Sequence, residues 1–341
     1  HAYVSGGVNQ PDMFALTFRS ALGLMVLASA CSRAVVLPAS ASSASSQQQS
    51  DTRTVQERLG YPPTAKLLIL HADDVGMSHS VNRASLEALE KGWISSASIL
   101  VPAPWFAEVA TWARAHPTAD LGIHLALNAE WTTLRWGPIS GRGEVPSLLA
   151  PDGYLPLSTA GVGNTNAREV ERELRAQIDL ARRSGVNITH LDSHMGALFG
   201  AESVFNVYLG LGQSYELPLL LERTGVPGGP AIPAWAERAR SIALVDRVLQ
   251  IGPGVSREQW VQTYKNMLAP LGPGVYELIV HLGYDDAEMR GATFDHPDWG
   301  AAWRQWDFDL VRSAEFHEWL KQQGFQLITW RELAKAGGFT R

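Results

Sequence analysis

The stretch LILHADDVG, residues 68–76, runs through aliphatic side chains and ends on two adjacent carboxylates, Asp73 and Asp74. Neighbouring like charges make each other harder to ionise, so such a pair calls for a cation nearby. Further polar groups end other apolar runs: His124 in LGIHLALN, His190, Asp192 and His194 in ITHLDSH, and His281 at the close of YELIVH. Singly, each has an ordinary explanation, since a lone histidine is often a hydrogen-bonded structural residue and an aspartate often caps a helix. As a set they suit a divalent ion, because one carboxylate and two imidazoles leave coordination positions open for water and substrate. An ion so held acidifies its water, and a second aspartate beside it can take the proton. The chain has one cysteine, Cys31, which excludes an internal disulfide framework and any cysteine-based zinc site.

The elements that must carry these residues follow one local grammar. LEALEKGWISSASIL, IDLARRSGVNITHLD and WLKQQGFQLITW each show an amphipathic helical pattern, a glycine suited to a left-handed cap, then a short aliphatic or β-branched run. Reading outward from these joints places strands near 66–72, 94–101, 120–127, 187–191, 216–221, 275–281 and 325–329. Helices fall near 79–91, 104–115, 167–184, 203–213, 256–269 and 308–323. Such alternation predicts an α/β fold, an irregular (β/α) barrel with helices outside a mainly parallel sheet. No glycine-rich phosphate loop follows the first strand, which weighs against a nucleotide-binding open sheet. In a parallel barrel all strand C-termini share one rim, so the polar residues converge there.

A long loop from Ala129 to about Asn166 carries Trp131, Arg135, Trp136 and Tyr154 among Pro and Gly. Long loops in compact domains tend to be functional, and its aromatics either stack on sugar faces or pin the loop to the core. The late segment FDHPDWGAAWRQWDFD either lines the rim or packs the last helix. His71, His79, His116, His296 and His317 read as structural residues without convergent partners.

With 45% hydrophobic and 18% charged residues, the chain has the composition of a globular protein. Its net charge of -6 and lack of a basic run exclude a nucleic-acid partner. From Met13, MFALTFRSALGLMVLASAC pairs an early Arg19 with a short apolar stretch and small residues before Cys31, the layout of an export signal over 13–31. Cys31 would then be lipidated, giving an exported periplasmic or membrane-anchored lipoprotein whose membrane contact is that anchor alone; cleavage after ASA at 39–41 is the other reading. Residues 1–12 read as a non-native leader, and the Ser, Ala and Gln-rich 32–60 as a flexible linker ahead of a catalytic domain over 61–341.

HADDVGMSHSVNRA, LGIHLALN and THLDSHMG, in this order, resemble the YdjC-like carbohydrate deacetylases, which include chitooligosaccharide and hopanoid-associated deacetylases and are relatives of the polysaccharide deacetylases. The resemblance covers roughly residues 65 to 335 and implies metal-dependent removal of an acetyl group from an N-acetylated saccharide. Carried over by motif, it implies Asp74, His124 and His194 as ligands of one divalent ion, Mg2+ or Zn2+, with Asp73 as general base. It implies His281 as general acid or transition-state donor, although Leu282 follows where the family often has Pro. Gly196 replaces a further imidazole of the family cluster. Asp192 and His190 are expected to orient ligands or complete the rim rather than bind the metal.

Three rival readings remain at this stage. An iron oxygenase would use the H-x-D in HLD, but such sites usually sit on antiparallel jelly rolls. A glycoside hydrolase would pair Asp73 with Asp192 and leave the histidines unexplained. A sugar-binding lipoprotein would keep the fold without the chemistry.

Overall fold

Strand β1, Lys66–Val75, is buried from Leu67 onward, as its unbroken apolar run requires of a strand covered on both faces. The computed structural model describes residues 53–225, 228–237 and 245–338. The leader, the export segment with Cys31, and the linker up to residue 52 lie outside the described residues. No described helix is long and apolar enough to cross a membrane.

Around β1 stand β2 (Ser96–Ile99), β3 (Leu121–Leu125), β4 (Ile188–Ser193), β5 (Arg247–Gln250), β6 (Gly274–Val280) and β7 (Phe325–Leu327). All pair in parallel in the order β4-β3-β2-β1-β6-β5, with β7 joined to the start of β1. Parallel bridges Leu191↔Leu219 and Glu222↔Val245 carry the ring from β4 to the entrance of β5, closing an irregular barrel. The strand expected at 216–221 is reduced to these bridges because Pro218 has no N–H to continue the ladder.

The helices outside the sheet are α1 (Val55–Arg58), α2 (His79–Glu90), α3 (Phe106–Ala115), α4 (Ala167–Arg183), α5 (Glu202–Tyr215), α6 (Ala234–Glu237), α7 (Trp260–Leu268), α8 (Ala287–Ala292), α9 (Ala301–Val311), α10 (Ala314–Gln322) and α11 (Trp330–Gly337). The joint glycines Gly92, Gly185 and Gly324 all have the positive φ that a left-handed cap requires. The single helix expected over 308–323 is two helices, because Ser313 breaks the run and caps α10 through the N–H of Phe316. The linker boundary also moves. Thr54 and Glu57 form a capping box for α1, Val55 and Gln56 are buried, and Arg58 Nη1 donates to the Ala336 carbonyl at 2.7 Å, so packed structure includes residues ahead of Tyr61.

Candidate metal centre

In a regular strand Asp73 and Asp74 would point to opposite faces. Here the β1–β2 register slips between Ala72 and Val75, and Asp74 takes φ 64. A bulge of this kind re-aims side chains. Both carboxylates consequently meet His124 of β3: its Nε2 lies 3.8 Å from Asp73 Oδ2 and 3.5 Å from Asp74 Oδ1. His194, in the turn after β4, places Nδ1 3.3 Å from the same Asp74 Oδ1.

The far nitrogen of each imidazole is held by a carboxylate. His124 Nδ1 bonds Asp192 Oδ1 at 2.8 Å, and His194 Nε2 bonds Glu130 Oε2 at 2.8 Å. Carboxylate backing of this sort fixes ring orientation and raises ligand basicity. Asp74 Oδ2 accepts from Arg304 Nη2 at 2.8 Å, whereas Asp74 Oδ1 is buried without a hydrogen-bond partner. A buried, unpaired carboxylate oxygen facing two imidazoles fits a cation. Burial alone would raise Asp74, but Arg304 and His194 hold it well below the usual carboxylate range. Burial likewise opposes protonation of His194, yet Glu130 and Asp74 hold it up at about 10.

Two other sets could offer ligand atoms within 4.8 Å of one another, Asp73 with His124 and Asp192, and His71 with His190 and Asp192. Asp192 already sits behind His124, almost wholly buried, so it presents no face to an ion in the cavity or to a sugar paired across from Asp73. His190 bonds Thr189 Oγ1 through Nδ1, stacks on Trp330, and lies so close to Gly122 that a Cβ there would come within 2.3 Å of its Nε2. The Asp74, His124 and His194 set alone opens on a cavity of about 580 Å³.

His281 reaches this cavity with Nε2 3.9 Å from Asp73 Oδ2. Its backbone N–H donates to Asp307 Oδ2 at 2.8 Å, and its ring packs on Trp303. Burial pushes its imidazole down to about 4.

The expectation that His71 lacks convergent partners is overturned. Fully buried beneath the rim, its Nε2 lies 3.1 Å from Asp73 Oδ1 and 3.4 Å from Asp192 Oδ2, and its Nδ1 lies 3.6 Å from Glu277. The cause is the parallel register, which sets His71 beside Ser96 of β2 and Ile279 of β6 and brings neighbouring polar side chains inward. His296, also read as structural, lines the cavity with Trp131, Trp299 and Arg304. Sequence reasoning missed Glu130 and Arg304. Glu130 stands in the long loop whose Trp131 and Trp136 are buried, and Trp136 donates to the Asn128 carbonyl, so these aromatics anchor the loop that presents it.

Residues 67–322 match the family model described as YdjC-like protein. A carbohydrate deacetylase of Thermus thermophilus is 35% identical over 286 residues, covering 82% of this chain and 98% of the relative. One from Brevibacillus brevis is 26% identical over 268 residues, covering 78% and 99%. A solved structure from Enterococcus faecalis, provisionally named a cellobiose-phosphate cleavage protein, superposes with a TM-score of 0.65 at 26% identity, covering 79% of this chain and 99% of that one. The matched span holds every strand that brings a carboxylate or imidazole to the rim, and the chain therefore belongs to the YdjC-like family.

Proposed function

We propose that this protein is a metal-dependent carbohydrate deacetylase that hydrolyses the acetamide of an N-acetylated sugar, releasing acetate and the free amine. The observation that carries this reading is the unpaired Asp74 Oδ1 between two imidazoles, each backed by a carboxylate, with the free oxygen of Asp73 alongside. A divalent ion held by Asp74, His124 and His194 would supply Lewis acidity, acidifying water and drawing charge from the carbonyl oxygen.

The chain's own groups divide the proton work. Asp73 Oδ1 is fixed by His71 and by the Ser98 hydroxyl at 3.2 Å, so Oδ2 is the oxygen turned to the cavity. It takes a proton from the attacking water as the C–O bond forms. His281 is neutral when substrate arrives, which favours the transition-state donor over the stored-proton acid: it gives an N–H hydrogen bond to developing charge. The proton on Asp73 then passes to the amine nitrogen as the C–N bond breaks. Arg304 keeps the second oxygen of Asp74 occupied and its first free.

Elemental analysis of the purified protein, paired with an acetate-release screen over N-acetylated saccharides, tests the proposal. One equivalent of a divalent metal and acetate matched by new free amine are expected. Reducing ends without acetate, or no bound metal, would overturn it.

A further inference from the structure

The cavity beside the metal centre has two unlike halves. On the side of α8 and α9 and the long loop stand Glu130, His296, Trp299 and Arg304, a set able to bond and stack on a sugar, with the buried Trp131 behind them. The other half, from the turn after β4 round to β6, is Phe199, Leu220, Leu221, Val248 and Ile279, with Met195 at its border with the first, where Asn128 Nδ2 reaches both the Met195 sulfur at 3.1 Å and Glu130 Oε2 at 3.4 Å. Its polar members among the described lining residues are Ser193, Glu222 and Gln250. Two of these are engaged by backbone: Ser193 Oγ accepts from Leu198 N at 3.1 Å and Glu222 Oε1 from Val248 N at 2.8 Å. A sugar ring laid there would meet the Ser193 O–H, Glu222 Oε2 and Gln250 as the remaining side-chain partners among the described lining residues, and each hydroxyl buried beyond those costs free energy.

Met195 sharpens the point. It follows His194 directly, takes φ 49 and leaves 56% of its surface exposed. A bulky residue in the left-handed region is strained, and such strain is kept mainly at functional sites. Here it holds an adaptable apolar side chain open to the cavity rather than in the core.

A trans amide carries its acyl carbon and its nitrogen substituent on opposite sides of the C–N bond. With the carbonyl oxygen toward His281 and the sugar toward Trp299 and Arg304, the acyl group points to the apolar half. We infer that the site takes N-acyl amino sugars whose acyl chain is longer than acetyl, the chain lying on Met195, Phe199, Leu220, Leu221 and Val248. This inference rests on the amide-hydrolase reading above and extends its substrate class.

The test uses the full chain with Zn2+ and three compounds: N-acetylglucosamine, N-hexanoylglucosamine, and the hexyl glycoside of N-acetylglucosamine, with free amine as the readout. Each methylene buried is worth roughly fourfold, so the hexanoyl compound should exceed the acetyl one in kcat/KM by at least about tenfold. Met195→Asn, which suits a left-handed backbone and so preserves the fold, should shrink that ratio by roughly threefold or more. An acetyl compound turned over as well as the hexanoyl one, or a hexyl glycoside preferred to it, overturns the inference and leaves the hydrolase reading intact. If none is hydrolysed, the saccharide screen decides the hydrolase reading and calorimetric binding decides the subsite. Tighter binding of the hexanoyl than the acetyl compound supports it, and equal binding overturns it.

Discussion

Replacing Asp192 by Asn probes the centre where burial makes the effect largest. Asp192 Oδ1 bonds His124 Nδ1 at 2.8 Å, and the residue is 1% exposed. Burial would raise this carboxyl, but His124 and His71 hold it well below the usual range, so it is ionised behind the ring. An amide keeps the shape and can still accept the hydrogen bond, but replaces a full charge with a dipole. Losing such a backing carboxylate typically costs 10- to 100-fold in metal affinity, or about 1.4–2.7 kcal/mol. The upper end is expected here, because no solvent screens the pair. Glu130→Gln is the internal comparison: the bond to His194 is also 2.8 Å, but the carboxylate is 13% exposed, so about tenfold is expected. Competition with a chromophoric chelator gives both Zn2+ affinities, and unfolding curves with chelator present show whether either variant has merely lost its fold. A folded Asp192→Asn protein whose affinity stays within about twofold of the parent would refute His124 as a ligand.

Asp73→Asn should retain the metal in elemental analysis yet lose roughly 10²- to 10⁴-fold in kcat, the usual worth of a general base, and normal turnover would reassign that role. Glu277 is fully buried, neither oxygen has a hydrogen-bond partner, and burial raises it from 4.5 to about 8. Its folded form thus holds a proton that the unfolded chain releases, so stability falls as pH rises from about 4.5 to about 8, by on the order of 5 kcal/mol at most. Glu277→Gln should remove that slope and raise the melting temperature above pH 8; parallel pH profiles for the two proteins would show that Glu277 is not the cause. Gly122→Ala should destabilise by about 3 kcal/mol, since its Cβ would strike the His190 ring, which Trp330 and His71 already confine. Unchanged unfolding in denaturant would mean that the ring has room to move.

The rim was legible because its residues end apolar runs. A strand buried on both faces writes a continuous hydrophobic stretch, and a polar group at its C-terminal end stands out, as Asp73, His124 and Asp192 do. The helix, glycine, strand joints were legible for an equally local reason. What stayed hidden depends on partners distant in sequence. Arg304 lies on α9, where an isolated Arg between tryptophans reads as an exposed side chain, and only the chain's return over β1 brings it to Asp74. β5 shows one buried residue in four, too few for an apolar run, and it is the ladder with β6 that makes it a strand. The β1 bulge is invisible in ADDV because nothing local shows on which side of a slipped register a carboxylate will stand. The α1 capping box is a different case: T-x-x-E was readable at Thr54 and Glu57, and the Ser and Gln-rich composition before it masked the signal.

The histidines at this end of the barrel fall into two classes, and the division explains how so many carboxylates can be buried together. His71, His124 and His194 touch Asp73, Asp74, Asp192, Glu130 or Glu277, and although burial opposes it, all three are raised above the ordinary imidazole value. His190 and His281 lack so close a carboxylate, and burial lowers both. Proton charge therefore sits where the acidic groups are. A divalent ion needs neutral imidazoles, so binding at Asp74 must displace the protons favoured on His124 and His194. The exchange of imidazole protons for one divalent cation leaves the total charge facing the carboxylates nearly the same. His71 and Arg304 stand outside that exchange: neither is a ligand in the proposed set, and each holds a carboxylate, Asp73 or Asp74, with one oxygen engaged and the other turned to the cavity. The two aspartates that should repel each other at the end of β1 are thus separated by their fixed cationic partners before any metal arrives, and this separation lets one serve as ligand and its neighbour as base.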